Sequence, residues 1–323
     1  MGNQIAVLAP RGAARSFDAD SLLADWLADM QGKVAAGEMS PATHTTYSRG
    51  MRRFLAWVGE RHLERIGPQA LREWKADLAR GGHKPGGVNT FYGGVRAFFH
   101  WAVAERGLAY NPCAGVPSAP RGPARHKREA LGDAEVLRVL AQPDPATTEG
   151  KRDRALLYLM AYTGLRQCEV QRATLGDLRT NGRLKLAVQG KGRAEADEVV
   201  YLVQPDLVDA LYTWLAVHPR GHDPAAPLFC SVGRRNYGEA LALRTLRAIV
   251  KAHYRAAGVV DPRKTTHSLR HSFVSNLIRR GVSPVRIMAA SRHRRLDTLL
   301  LYAHETEREG DPVEAAVDYT TGK

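Results

Sequence analysis

Apolar positions recur at helical spacing in four blocks along the N-terminal third of the chain. Leu22, Leu23, Trp26, Leu27 and Met30 form the first stripe. Ser40-Pro41 supplies a cap and a first-turn proline to the second, which presents Tyr47, Met51, Phe54, Leu55 and Val58 on one side. Pro68 opens a third with Leu71, Trp74 and Leu78. The fourth carries Val88, Phe91, Tyr92, Val95, Phe98, Phe99 and Val103. Aromatics at a helical period predict burial rather than platforms for stacking bases. Residues 16–110 therefore predict a small helical bundle, preceded by a flexible Ala/Gly/Arg-rich N-terminus over 1–15.

The pattern breaks over 111–128. Pro112, Pro117, Pro120 and Pro123 predict a semi-extended linker, and Arg121, Arg125, Lys127 and Arg128 make it basic. From 129 to 304 the chain is mixed. Helical stripes at 134–140 and 154–162 give way to an alternating, strand-like pattern at 184–188 and 199–202, around a Gly190-Lys191-Gly192 turn. That reads as a β-hairpin. Helices return over 205–217, 241–257, 268–280 and 284–290, and around Tyr302. The expected fold class is mainly α, with a helical bundle followed by a mixed domain containing a small β-hairpin or sheet. The tail, 305–323, is acidic, with a short apolar stripe at Val313, Ala316 and Val317.

Charge narrows the partner. The 323 residues include 47 Lys+Arg against 33 Asp+Glu, a formal charge of +14. Such an excess favours a polyanion, through counterion release and steering. Cys113, Cys168 and Cys230 are too few and too scattered for a C-x-x-C metal site or a disulfide framework, which fits a reducing cytosol. No signal peptide or membrane-length apolar run is apparent. The sequence holds no phosphate-binding G-x-x-x-x-G-K-[ST] loop and no clustered metal ligands, so neither cofactor nor metal is expected.

Six positions carry candidate chemistry: Arg166, Lys191, His267, Arg270, His293 and Tyr302. Five can carry or share positive charge and the sixth is a phenol, as metal-free attack on a phosphodiester requires. His267 and Arg270, three apart at a helix start, share one face. Taken singly, each has an ordinary reading: a surface arginine at a helix start, a solvated turn lysine, a core tyrosine.

Together, the segments TGLRQCEV, QGKGR, HSLRH, SRH and LLLYAH resemble the tyrosine recombinase (phage integrase) family in order and spacing, across most of the chain. The resemblance implies that Arg166, His267, Arg270 and His293 hold the scissile phosphate, that Lys191 protonates the leaving 5′ oxygen, and that Tyr302 is the nucleophile. Glu169 would help orient Arg166 or buttress the fold. Two departures stand out. Cys168 replaces a small hydroxyl residue, and Ser291-Arg292-His293 stands where the family has Leu-Gly-His. Arg292 and Arg193, with the four basic linker residues, are expected DNA contacts.

The resemblance further implies a core-binding (SAM-like) domain and a catalytic domain that clamp duplex DNA, with four protomers assembling on two sites. The tail would dock in a neighbouring subunit's groove or pack on its own domain. With the bundle beginning near Phe17 there is no room for an arm-binding domain, so a compact Xer-type or mobile-element recombinase is expected, cytoplasmic and at the nucleoid, with accessory proteins possible. Two other functions remain open: type IB topoisomerase-like relaxation, and a catalytically inactive DNA-binding regulator.

Overall fold

The computed structural model describes residues 17–60, 62–120, 129–190 and 198–293, together with Leu296 and Leu299. The chain divides into two units, 1–123 and 124–323.

The first unit is built from α1 (Ala19–Ala35), α2 (Pro41–Val58), α3 (Pro68–Arg80) and α4 (Pro85–Arg106). The Asp18 carboxylate caps α1 by accepting from the Ser21 N–H at 2.7 Å, and Ser40 caps α2 in the same way through Thr43. Leu22, Trp26 and Met30 point inward at four-residue intervals and meet Phe54, Trp74, Phe98 and Phe99 in one core. Trp26 and Phe98 pack edge to face at 5.3 Å, as do Phe54 and Trp74 at 5.0 Å. α2 and α4 cross closely because each offers a glycine. A Cβ on Gly50 would strike the Phe91 carbonyl oxygen, and one on Gly94 would strike that of Tyr47.

Residues 111–120 differ from the expected extended linker. Cys113 and Val116 are buried in the bundle core. Val116 O accepts from the Tyr92 hydroxyl at 2.9 Å, and the Asn89 amide pairs with both the N–H and the C=O of Ala119. The strap makes turns of its own at Asn111–Val116, where the Ala114 and Val116 N–H groups donate to the Asn111 and Cys113 carbonyls, and α4 side chains satisfy backbone groups beyond them. Arg121, Arg125, Lys127 and Arg128 lie outside the described residues.

In the second unit, α6 (Thr148–Thr163) is flanked by α5 (Asp133–Leu140), the short α7 (Gln167–Arg172), α8 (Pro205–Leu215), α9 (Leu243–Ala256) and α10 (Ser268–Arg279). Leu156, Leu157, Leu159 and Met160 of α6 are all buried, so this helix is central. Along the chain, an antiparallel sheet comes between α7 and α8. Its strands are β1 (Leu178–Arg179), β2 (Lys185–Val188) and β3 (Glu198–Tyr201), with Leu186 opposite Val200 and Val188 opposite Glu198. The expected hairpin thus gains a third, two-residue strand. α11 (Pro284–Ser291) packs on α10 through Val274 and Ile287, and Leu299 is buried in that same cluster. No described helix is long and apolar enough to cross a membrane.

Candidate active site

The end of α6 sets up the first arginine. Gly164 takes φ 60, and its N–H closes the helix on the Met160 carbonyl. A Cβ there would run into the Phe273 ring. Leu165 is then buried, and Arg166 follows in extended conformation as the residue preceding α7. Three residues on, Glu169 turns back. One carboxylate oxygen accepts from the Arg166 backbone N–H at 2.7 Å, and the other from its Nη1 at 2.6 Å. The Arg166 side chain is 26% exposed and that of Glu169 1%. The segment TGLR-x-x-E thus reads as a left-handed turn, an apolar anchor, a projecting guanidinium and a buried carboxylate that aims it.

Burial alone would push the Glu169 carboxyl upward. The charge of Arg292, joined by the hydrogen bonds and charge of Arg166, outweighs it and holds the group below the ordinary carboxylate value.

Gln167, the next residue, accepts from Arg247 of α9 and from the Thr266 hydroxyl. That ties the start of α7 to the segment entering α10. The entry is held from several sides: Lys264 pairs with Glu135 of α5 at 2.7 Å, and the Tyr254 hydroxyl donates to the Thr265 carbonyl. His267 lies at the start of α10, half-buried.

One turn into α10, the buried Arg270 donates from Nη1 to the Gly164 carbonyl at 2.7 Å and from Nη2 to that of Ser291. Its Nη2 also lies 3.2 Å from Nε2 of His293. The Ser291 hydroxyl donates its proton to the Ile287 carbonyl, and its oxygen lies 2.7 Å from Nδ1 of His293. That oxygen is therefore an acceptor for an Nδ1–H, which leaves the Nε2 lone pair toward Arg270. The arrangement suits a neutral His293 whose ring is oriented from both sides.

Arg292 corrects an expectation. Placed among the DNA contacts by its charge, it is instead turned inward with a side chain 5% exposed. It adopts φ 57 and ψ 41, the conformation a glycine would take there, and closes α11 on the Met288 carbonyl. Its Nη2 reaches Glu169 at 2.9 Å. Its attraction to the carboxylate is stronger there than in water, but burial also strips both groups of hydration.

Arg166, Arg270 and His293 are thus joined in one circuit. It runs from Arg166 through Glu169 to Arg292, along the chain to His293, across to Arg270, and back through the Gly164 carbonyl. His267 shares the entry of α10 with Arg270. Lys191, Arg193 and Tyr302 lie outside the described residues. The bracing of Arg270 by the Gly164 and Ser291 carbonyls had no sequence signal, because a backbone carbonyl is common to every residue. Among the described residues, no three His, Cys, Asp or Glu side chains gather as a metal-binding group.

A second cationic feature lies on the first unit. Arg49, Arg52 and Arg53 stand exposed on α2 and, with His44, Gln31 and Leu27, line a hollow of about 770 Å³. The apolar stripe of α2 had drawn attention to its opposite face, so sequence reading passed over these arginines.

The profile of the phage integrase family matches residues 129–309, and that of the phage integrase N-terminal SAM-like domain matches 26–106. Tyrosine recombinase XerC of Rhodospirillum centenum is 31% identical over 90% of this chain and 84% of its own length. Tyrosine recombinase XerC 2 of Ralstonia nicotianae is 30% identical over 79% and 74% respectively. In fold, the chain is similar to the XerH site-specific recombinase bound to its palindromic difH substrate, with a TM-score of 0.69 at 21% identity, over 84% of this chain and 78% of that one. The chain belongs to the phage integrase family, and among tyrosine recombinases it is Xer-like.

Proposed function

We propose that this chain is a site-specific tyrosine recombinase that cuts and rejoins duplex DNA, with the following division of labour. The Tyr302 phenol oxygen attacks a backbone phosphorus and gives up its proton to solvent. The bond to the 5′ oxygen breaks, and that oxygen takes a proton from Lys191. A 3′-phosphotyrosyl ester and a free 5′-hydroxyl result. Arg166, Arg270 and His267 hold the non-bridging oxygens as charge develops, and His293 steadies the Arg270 guanidinium beside them. A 5′-hydroxyl from a partner duplex then attacks the ester and releases the tyrosine. Because the ester conserves the bond, the cycle needs no nucleotide hydrolysis.

The observation that carries this reading is the circuit joining Arg166, Arg270 and His293, which are separated in sequence. A buried Arg270 braced by two carbonyls resists displacement, so it can wait in place for a phosphate.

DNA is the partner. XerH was seen on its difH substrate, and a lambda integrase tetramer was seen bound to a Holliday junction. By analogy this chain works as a tetramer on two sites in the cytoplasm, at the nucleoid, in dimer resolution or in the movement of an element. The 16–110 bundle is its core-binding domain, and 129–304 its catalytic domain. The exposed arginines of α2 and the basic residues Arg121, Arg125, Lys127, Arg128 and Arg193 meet phosphates.

The test begins with mapping the genomic DNA bound by the protein. A nicked duplex carrying the recovered site should then trap a covalent complex with the wild type and none with Tyr302→Phe. Trapping by Tyr302→Phe would overturn the choice of nucleophile. Relaxation of supercoils without recombinant products would point instead to a topoisomerase.

A further inference from the structure

Arg292 is the one non-glycine residue among those described with a positive φ. Such backbone is disfavoured for an L-residue carrying a long side chain, and it persists only where the surroundings hold it. The surroundings here are the Ala290 carbonyl, which accepts from Nη1 at 3.1 Å, and two carboxylates. Nη2 bonds Glu169 at 2.9 Å, and Nε faces Glu198 at 3.5 Å. That Nε is the one buried side-chain nitrogen or oxygen among the described residues without a hydrogen-bond partner. A guanidinium cannot shed its charge, so burial commits it to these acids.

Glu169 is consequently shared. Its carboxylate receives the Arg166 side chain on one oxygen, and the Arg166 backbone together with Arg292 on the other. Left with Arg166 alone, the carboxylate would offset that guanidinium just where a phosphate has to be gripped. With Arg292 present, two guanidiniums divide one carboxylate. Glu198 stands farther away, and its side chain is 24% exposed, so solvent screens it more than it screens Glu169.

Resting on the recombinase reading above, we infer that Arg292 is a positioning residue for DNA cleavage. It draws off part of the charge of Glu169, so that Arg166 keeps its hold on the scissile phosphate. The inference concerns the rate of the chemical step rather than DNA affinity, since the Arg292 side chain is buried.

A double-mutant cycle tests it. Wild type, Arg292→Gly, Arg292→Lys, Glu169→Gln and the Arg292→Gly/Glu169→Gln pair are compared on the nicked duplex recovered by genomic mapping. Single-turnover formation of the covalent complex and DNA affinity are measured separately. Glycine suits the left-handed turn, so Arg292→Gly removes the guanidinium without straining the backbone. It is expected to slow cleavage on the order of tenfold at unchanged DNA affinity, and to add little once Glu169 is already neutral. Arg292→Lys, which retains the charge, should recover part of the rate. Thermal melting checks that each variant is folded.

Wild-type cleavage by Arg292→Gly, or equal slowing in both Glu169 backgrounds, would overturn the inference while leaving the recombinase reading intact. Failure of the wild type itself to form any covalent complex would overturn both.

Discussion

Arg270 donates through Nη1 to the backbone carbonyl of Gly164 at 2.7 Å, across 106 positions of sequence. That bond fastens the helix bearing one guanidinium to the turn that presents the other. Substituting lysine keeps a cation but loses the planar fork, so the two carbonyls and a phosphate can no longer be served together. Arg270→Lys is expected to reduce single-turnover cleavage by about 10²-fold or more, a loss typical of removing one preorganised donor. Rapid quench of covalent-complex formation measures it, with DNA binding followed in parallel.

Gly164 itself is the more fragile partner. At φ 60, with the Phe273 ring where a Cβ would stand, Gly164→Ala meets both backbone strain and a clash. Stability should fall by about 1–3 kcal/mol. Urea unfolding of the full chain gives the figure. Because the Gly164 carbonyl braces Arg270, cleavage should drop in the variant even at temperatures where it stays folded.

Glu169 makes stability depend on acid. Its folded-state carboxyl lies below the ordinary value, so as the pH falls the unfolded chain takes up a proton first. The stabilisation is complete above the unfolded value and disappears as the pH drops through the folded one. Wild type should therefore exceed Glu169→Gln in stability at about pH 6, and the gap should narrow toward about pH 3. A gap that stays constant in urea titrations over that window would remove the ion-pair account of this residue.

The helices were legible where burial is one-sided. Leu22, Trp26 and Met30 mark a stripe because the opposite face of α1 meets water. α6 was read only in its second half, since its apolar residues face several neighbours at once and leave no clean period. β1 is two residues long, too short for any alternation to register. The 111–120 strap deceived for another reason: prolines announce an extended chain, but nothing local says that Asn89 will bind it. In the site, residue types and order were readable because phosphate chemistry limits the choice to cations and a nucleophile. Arg292 was misread. Charge suggested an outward DNA contact, whereas a buried carboxylate on another helix decided its direction.

The arginines of α2 carry a prediction of a different kind. Arg49, Arg52 and Arg53 are exposed, line one hollow, and lie on the face opposite the buried Met51, Phe54 and Leu55. Arg53 also stacks over the Phe91 ring at 5.1 Å, so its loss removes some packing as well as charge. Arg49→Ala and Arg52→Ala together should leave the melting temperature close to wild type. If both side chains neutralise phosphates, the plot of log affinity against log salt should become shallower by about 1.8, at roughly 0.9 per phosphate lost. Covalent cleavage at saturating DNA should be unchanged, because neither residue belongs to the circuit around Arg270. A wild-type salt slope in the double variant would mean that this face of α2 does not touch the duplex.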